Sequence, residues 1–361
     1  MKRLLEGSEA IAQAMVAAGC RFFAGYPMTP FTEVLEGMAR LLPEVGGVCM
    51  NAESEIEAVG MAWGAAASGA RAATGSVGQG LSLMQESLAE MCYARLPLVV
   101  LNMARGQGDY FQATRGGGHG DYRHIVLAPA DLQEAVRLVQ LAFDLADRWR
   151  NPVMFLGDYY LAHVQEAVDT GAIAFEPPPS KDWALDGTSS GTGRAKIVSP
   201  IVPTKRNDPN RVSYGEYLAR MAVYSQRIAA EFDPMIEVAH TGDAELVVVA
   251  YGTPARFMRY VVDRLREEGM RVGFARPVSL WPFPAEKLAA ATRSAAAVAV
   301  YELNAGQMVE DVRLALPNKP VRSIGGVSLD NAAFGIAPAM TPSELDARVR
   351  AALAELKVEA A

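Results

Sequence analysis

The chain has 361 residues, half of them hydrophobic and 21% charged, the profile of an ordinary soluble globular protein long enough for two cores. Its net charge of −7 argues against nucleic acid or an anionic membrane as the main partner, and no apolar run approaches the roughly 18 residues that cross a bilayer. The opening MKRLLEGSEA meets Glu6 and Glu9 early, so no secretory signal is expected, and the isolated Cys20, Cys49 and Cys92 suggest a reducing, cytoplasmic setting.

In chain order, Ser8 is placed to cap a helix over 9–18 that stops at Gly19, and a strand follows at 21–25. Thr29 is placed to cap the next helix with Pro30 at its first position, where a missing N–H costs nothing. A short strand at 46–50 leads to a helix rich in Ala and Gly over 55–67; a strand at 70–76 runs through the turn 77–80 into a helix over 81–94. The apolar run 96–104 reads as a buried parallel strand. A helix over 130–147 and a strand at 151–158 complete a pattern that implies a parallel sheet covered by helices.

Composition then shifts. Residues 175–210 hold Pro177, Pro178, Pro179 and the polar GTSSGTG, as expected of an extended arm. A helix over 213–232 crosses out of the arm. A second α/β unit follows, with strands at 245–253, 270–277 and 295–304 and helices at 255–268 and 307–316.

Among chemical motifs, GSVGQG (75–80) lacks dinucleotide spacing, and GGGHG (116–120) follows no strand and reads as a flexible loop. His119, His124, His163 and His240 show no metal spacing, solvent exposure is the simpler expectation for His119 and His124, and no metal is assigned to this chain. The pairing of GYPMTPFTE (25–33) with NAESEIEAVGMAWGA (51–65) is more informative. Glu53, Glu55 and Glu57 are compatible with favourable charges at a helix N-terminus. A glutamate beside an apolar, small-residue helix is costly to bury alone, so it must be exposed, paired or bound to a ligand nitrogen. Ala58, Gly60, Gly64 and Ala65 behind Glu55 allow close approach of another backbone or subunit.

GYPMTP, the Glu55 segment, GLSLMQE (80–86), the arginine after LPLVVLNMA and GGGHGDYR (116–123) occur together and in order, followed by RPVSLWPFP (276–284) and ELNAGQMVEDVR (302–313). The set resembles the alpha subunit of 2-oxoacid:ferredoxin oxidoreductases, of the branched-chain (2-oxoisovalerate) type, over nearly the whole chain. The resemblance implies an α/β fold with a thiamine diphosphate-binding, pyrimidine-type parallel-sheet domain over 1–172. It further implies an arm with a crossing helix over 173–236 and a transketolase-C-terminal-like domain over 237–361. It assigns Glu55 to the glutamate that hydrogen-bonds N1′ of the cofactor's aminopyrimidine and so promotes proton removal from the thiazolium. Pro27 and Thr29 match the turn beside cofactor and substrate, and Arg105 matches the arginine for the substrate carboxylate, which a guanidinium binds bidentately.

The implied reaction is oxidative decarboxylation of a 2-oxoacid, with a branched-chain substrate expected, and coenzyme A to acyl-CoA, CO₂ and reduced ferredoxin. In one departure, Gly106-Gln107-Gly108 joins Arg105 to Asp109 directly, where branched-chain members carry a longer glycine-rich loop. The chain also lacks the G-D-G that holds Mg²⁺ and diphosphate, and cysteines for iron–sulfur clusters. Those groups are therefore expected on partners: a beta subunit for diphosphate and Mg²⁺, a gamma subunit and a ferredoxin-like delta subunit. The rival readings are another thiamine-dependent 2-oxoacid enzyme with a different acceptor, and a non-catalytic scaffold subunit.

Overall fold

The computed structural model describes residues 2–177, 179–185, 214–326 and 340–359; most of the expected arm, including GTSSGTG, lies outside them. Strand β1 (Arg3–Glu6) leads into helix α1 (Gly7–Ala17), then β2 (Phe22–Gly25), α2 (Thr32–Leu41), β3 (Val48–Asn51) and α3 (Glu55–Ala67). The chain continues as β4 (Ala72–Ser76), α4 (Gly78–Ala94), β5 (Leu98–Ala104), the short α5 (Tyr110–Thr114) and β6 (Ile125–Leu127). Helix α6 (Leu132–Trp149), β7 (Pro152–Asp158), α7 (Tyr159–His163) and β8 (Gln165–Val168) close the first unit. After α8 (Tyr214–Glu231) and β9 (Ile236–Ala239) come β10 (Leu246–Val249), α9 (Gly252–Glu267), β11 (Val272–Pro277), β12 (Ser279–Trp281) and α10 (Ala285–Ala291). The last elements are β13 (Ala297–Val300), α11 (Met308–Ala315), β14 (Val321–Ser323) and α12 (Pro342–Glu359).

The first unit is a seven-stranded sheet in the order β12-β6-β7-β5-β4-β2-β3, parallel except where β12 pairs antiparallel with β6. Every residue of β5 and β7 is buried, the signature of strands covered on both faces. Their side chains divide by alternation. Val99, Leu101, Met103, Val153 and Phe155 meet α1, α2 and α6, while Leu98, Val100, Met154 and Leu156 join the core under α3 and α4. The second unit is a five-stranded sheet, β14-β13-β10-β11-β9, with only β9 antiparallel. Both sheets carry helices, as the alternation of elements required.

Helices α4 and α9 each begin three residues before the sequence expectation, at Gly78 and Gly252, and two expected caps are not made. Glu6 is the N-cap residue of α1, and Ser8 Oγ instead donates to the Ala162 carbonyl at 3.2 Å. Thr29 caps nothing: α2 begins only at Thr32, because Phe31 N (2.6 Å) and Thr32 N (3.1 Å) both turn back onto the Met28 carbonyl. The segment 26–31 is thus a turn of its own, with a cis Thr29–Pro30 peptide. The pairing of β1 with β8 and the strand β12 went unread in the sequence, because each is at most four residues long and is paired with a distant segment.

The two units share one core. Val247, Val249, Tyr251, Val298 and Val300 pack in the same cluster as Leu98 and Val100, and Ser279 and Trp281 pair with Leu127 and Val126. At the junction Arg276, 6% exposed, donates to both oxygens of Glu134 at 2.9 Å each and to Glu237 at 2.7 Å. Arg276→Ala leaves the Glu134 carboxylate without its cation, while Glu237 keeps Arg259 at 3.2 Å, so the expected loss of stability is about 3 kcal/mol, read as a lowered urea midpoint.

Candidate functional site

Strands β2, β4 and β5 run parallel, so Gly25, Ser76 and Ala104 all end on one edge of the sheet. The chain passes from β2 to β3 on one side, then returns to β4 on the other. Between β2 and β4 lies the point where the direction of winding reverses, where open α/β sheets form their ligand crevice. The GYPMTP turn leaves β2 there. Phe31 anchors it: a side chain at Gly25 would meet the Phe31 ring at 2.8 Å and one at Gly75 would meet it at 2.6 Å. Glycine at both positions lets the ring lie across the strand ends.

Glu55 is the first residue of α3 and is 4% exposed. Ser54 caps the helix by accepting from Glu57 N at 3.3 Å. Ser76 Oγ, at the end of β4, donates to Glu55 Oε1 at 2.9 Å and lies 3.8 Å from Met28 Sδ in the turn. Gly80 closes the arrangement: a Cβ there would stand 2.1 Å from Ser76 Oγ and 2.4 Å from Glu55 Oε1. Glu53 and Glu57 are by contrast buried-to-exposed opposites of Glu55, both lying on the exposed side of the helix start. Helix-end charge suffices for those two in water, whereas Glu55, withdrawn from water, needs the Ser76 bond as well. Ser76 and Gly80 were not singled out in the sequence; their signal was the strand-to-helix turn SVGQG between them.

Arg105 follows the last residue of β5, and its Nε donates to the Thr29 carbonyl at 3.0 Å. Thr29 and Pro27 are exposed. The structure therefore ties Thr29 to Arg105 directly and to Glu55 through Met28 and Ser76. Beside Arg105 is an open cleft of about 380 Å³, lined by Gly78, Gln79, Ser82, Asp109 and Gln112 among others. Ser82 Oγ donates to Gln112 Oε1 at 3.0 Å across it. Asp109 accepts from Asn102 Nδ2 at 3.1 Å, and burial pushes its carboxyl up from the usual carboxylate range against that bond.

Two expectations about the loop after α5 are corrected. GGGHG is tied down: Gly117 N donates to Gln85 Oε1 (2.9 Å), and Gly117 N and Gly118 N both donate to the Tyr122 hydroxyl (3.0 Å each). His124 is not exposed but 3% accessible, packed 6.0 Å from the Tyr122 ring, because it enters the buried strand β6. His119 is partly exposed and pairs with Glu90 at 3.0 Å.

Residues 13–181 match the family model described as pyruvate flavodoxin/ferredoxin oxidoreductase, thiamine diphosphate-binding. Residues 244–331 match pyruvate:ferredoxin oxidoreductase core domain II. Fold and site thus define a thiamine diphosphate-binding α/β protein with a transketolase-like second unit. The chain is 36% identical over 323 residues to ketoisovalerate oxidoreductase subunit VorB of Methanothermobacter thermautotrophicus, covering 87% of this chain and 89% of that one. It is 34% identical over 337 residues to 2-oxoglutarate synthase subunit KorA of the same organism, covering 86% and 89%. It therefore belongs to the 2-oxoacid:ferredoxin oxidoreductase family and is an oxidoreductase subunit. Among solved structures, 2-oxoglutarate:ferredoxin oxidoreductase from Magnetococcus marinus matches with TM-score 0.77 and 27% identity over 97% of this chain, which spans 65% of that one. A split-gene transketolase shares the fold, with TM-score 0.61 and 17% identity.

Two outcomes are expected from this geometry. Gly80→Ala forces the new methyl group onto Ser76 and Glu55, so stability falls by about 1–3 kcal/mol, read as a lowered thermal midpoint. Burial lowers the His124 imidazole to a pKa of about 4, below its ordinary 6.5, so the folded state favours the neutral ring. That contribution is complete above pH 6.5 and is lost as pH falls towards 4. Between pH 7 and 4, wild type should lose on the order of 3 kcal/mol more stability than His124→Phe, measured by denaturant titration at each pH.

Proposed function

We propose that this chain is the alpha, pyrimidine-side subunit of a 2-oxoacid:ferredoxin oxidoreductase, which oxidatively decarboxylates a 2-oxoacid with coenzyme A to acyl-CoA, CO₂ and reduced ferredoxin. The observation that carries this reading is Glu55: a carboxylate buried at the sheet's switch point, bonded to Ser76 and given room by Gly80. Thiamine diphosphate, when bound, supplies the carbanion that adds to the 2-oxo carbon and takes up the electrons left when CO₂ departs. The donor set fits it, since a carboxylate oxygen at Glu55 is the acceptor that a protonated ring nitrogen requires. Glu55 holds that proton, the turn at Pro27 and Thr29 walls the site, and Arg105, fixed through Nε, keeps its remaining N–H groups for the substrate carboxylate.

The cleft supports a monocarboxylic, branched-chain substrate over a dicarboxylic one. Arg105 is the one cation among its described lining residues, and Asp109 adds an acid. A second substrate carboxylate would meet the Asp109 carboxyl here, with no second cation to pair with among the described lining residues. The remaining assignments concern assembly. Around Glu55, Ile56 (54%), Leu83 (51%), Met50 (41%) and Met61 (38%) are exposed, and a Cβ at Gly60 or Gly64 would meet nothing. An apolar surface of this kind suits an interface. A beta subunit carrying diphosphate and Mg²⁺ would cover it, with gamma and ferredoxin-like delta subunits completing a cytoplasmic hetero-oligomer that passes electrons to ferredoxin through its clusters. Among the described residues no helix is long and apolar enough to cross a membrane. The domain limits inferred are 1–172, 173–236 and 237–361, with β12 lodged in the first unit's sheet.

Glu55→Ala in the reconstituted complex should lower turnover by about 10²–10⁴-fold while the complex still assembles. Unchanged turnover would refute a catalytic site and favour a scaffold. Turnover of wild type on branched-chain, aryl and dicarboxylic 2-oxoacids, with ferredoxin reduction followed optically, should rank the branched-chain acids first. A requirement for a lipoyl carrier in place of ferredoxin would favour the rival enzyme class.

A further inference from the structure

The link Gly106-Gln107-Gly108 between Arg105 and Asp109 is held almost entirely from the second unit. Gln107, 6% exposed, donates through Nε2 to the Tyr251 carbonyl at 2.9 Å and accepts at Oε1 from Leu303 N at 2.8 Å. Its own carbonyl accepts from Asn304 Nδ2 at 2.8 Å and from the Tyr251 hydroxyl at 3.3 Å. Gln307 then grips both ends of the next segment: Nε2 donates to the Gly108 carbonyl and Oε1 accepts from Phe111 N, each at 2.9 Å. The gripping loop is itself prebuilt. Glu302, fully buried, accepts from Met308 N and Val309 N at 2.8 and 3.0 Å, and Asn304 Oδ1 accepts from Gln307 N at 3.1 Å.

The guanidinium is tethered to the first unit, at Thr29, while the backbone that follows it is clamped by the second. We infer that Gln307 is a positioning residue for Arg105: its amide sets the Gly108–Phe111 backbone, and through it the place of the guanidinium over the cleft. This rests on the proposed role of Arg105 in binding the substrate carboxylate. Gln307 touches no reacting group, so its effect falls on capture of the 2-oxoacid.

The test is a double-substitution cycle in the reconstituted complex. Gln307→Ala should raise KM for the 2-oxoacid about tenfold, with KM for coenzyme A, thiamine diphosphate affinity and the thermal midpoint unchanged. Added to Arg105→Ala, the same substitution should change KM by less than about twofold, the non-additivity of residues acting as a unit. Gln307→Met, which keeps the volume and removes both hydrogen bonds, should reproduce the effect if the alanine variant is unstable. An equal change in KM with and without Arg105, or no change with Arg105 present, overturns the positioning role. If Arg105→Ala alone leaves KM unchanged, the carboxylate reading fails, and the positioning role falls with it.

Discussion

The structure turns on where a buried carboxylate finds its compensation. Removing a charged carboxylate from water unpaired is costly, and Glu55 is withdrawn to 4% exposure. The compensation comes from three local choices. Glu55 opens α3, where the helix dipole favours negative charge; Ser54 completes the cap; and the Ser76 hydroxyl reaches it from the next strand. Each choice constrains the sequence around it. The inward face of the helix behind Glu55 is small, with Ala58, Ala62 and Ala66 buried, and residue 80 must have no side chain.

Topology makes those choices possible. Because β3 and β4 flank β2 on opposite sides, the residue that opens α3 and the residue that ends β4 come together over the end of β2, above the turn that β2 feeds. A sheet wound in one direction only would have set β3, and not the end of β2 with its turn, beside β4. The same reversal brings Thr29 within reach of Arg105 at the end of β5. Glu55, Ser76, Thr29 and Arg105 therefore share an edge without sharing a segment. That edge opens onto exposed apolar side chains of α3 and α4.

Much of this was legible in the residues, for a physical reason. Buried parallel strands such as 98–104 are continuous apolar runs, and the residues that end them sit at the ligand edge whatever their neighbours do. Glu55 stood out because a carboxylate ahead of an apolar, glycine-rich helix has few inexpensive explanations. The misreadings came where a local signal was outcompeted by distant contacts. Ser8 and Thr29 carry good capping side chains, yet Ser8 bonds to Ala162 and the Met28 carbonyl takes the amides that Thr29 would have capped. GGGHG looked unstructured because its partners, Gln85 and Tyr122, are side chains that no glycine pattern announces. His124 looked polar in a polar loop, but it is the entry to a buried strand.

The second unit is not an appendage to this site. A three-residue link has no room to satisfy its own carbonyls, and buried backbone groups must be paired. The buried carbonyl of Gln107 is paired by Tyr251 and Asn304, and Gln307 holds that of the exposed Gly108 beside it. Sliding the two units past each other would break these bonds and the Arg276 bridge together, so the side of the cleft carrying Arg105 is fixed by the fold of the whole chain. The side toward Ile56 and Leu83 faces solvent in the isolated chain. On the proposed reading, the chain supplies a rigid half-site whose carboxylate-binding end is set internally, and adjustment during turnover falls to the subunit that closes over it. Relatives named for ketoisovalerate and for 2-oxoglutarate stand at 36% and 34% identity, so overall similarity does not separate the two substrates. On the proposed reading the discrimination rests on the few side chains at the cleft, where the acid beside Arg105 is Asp109.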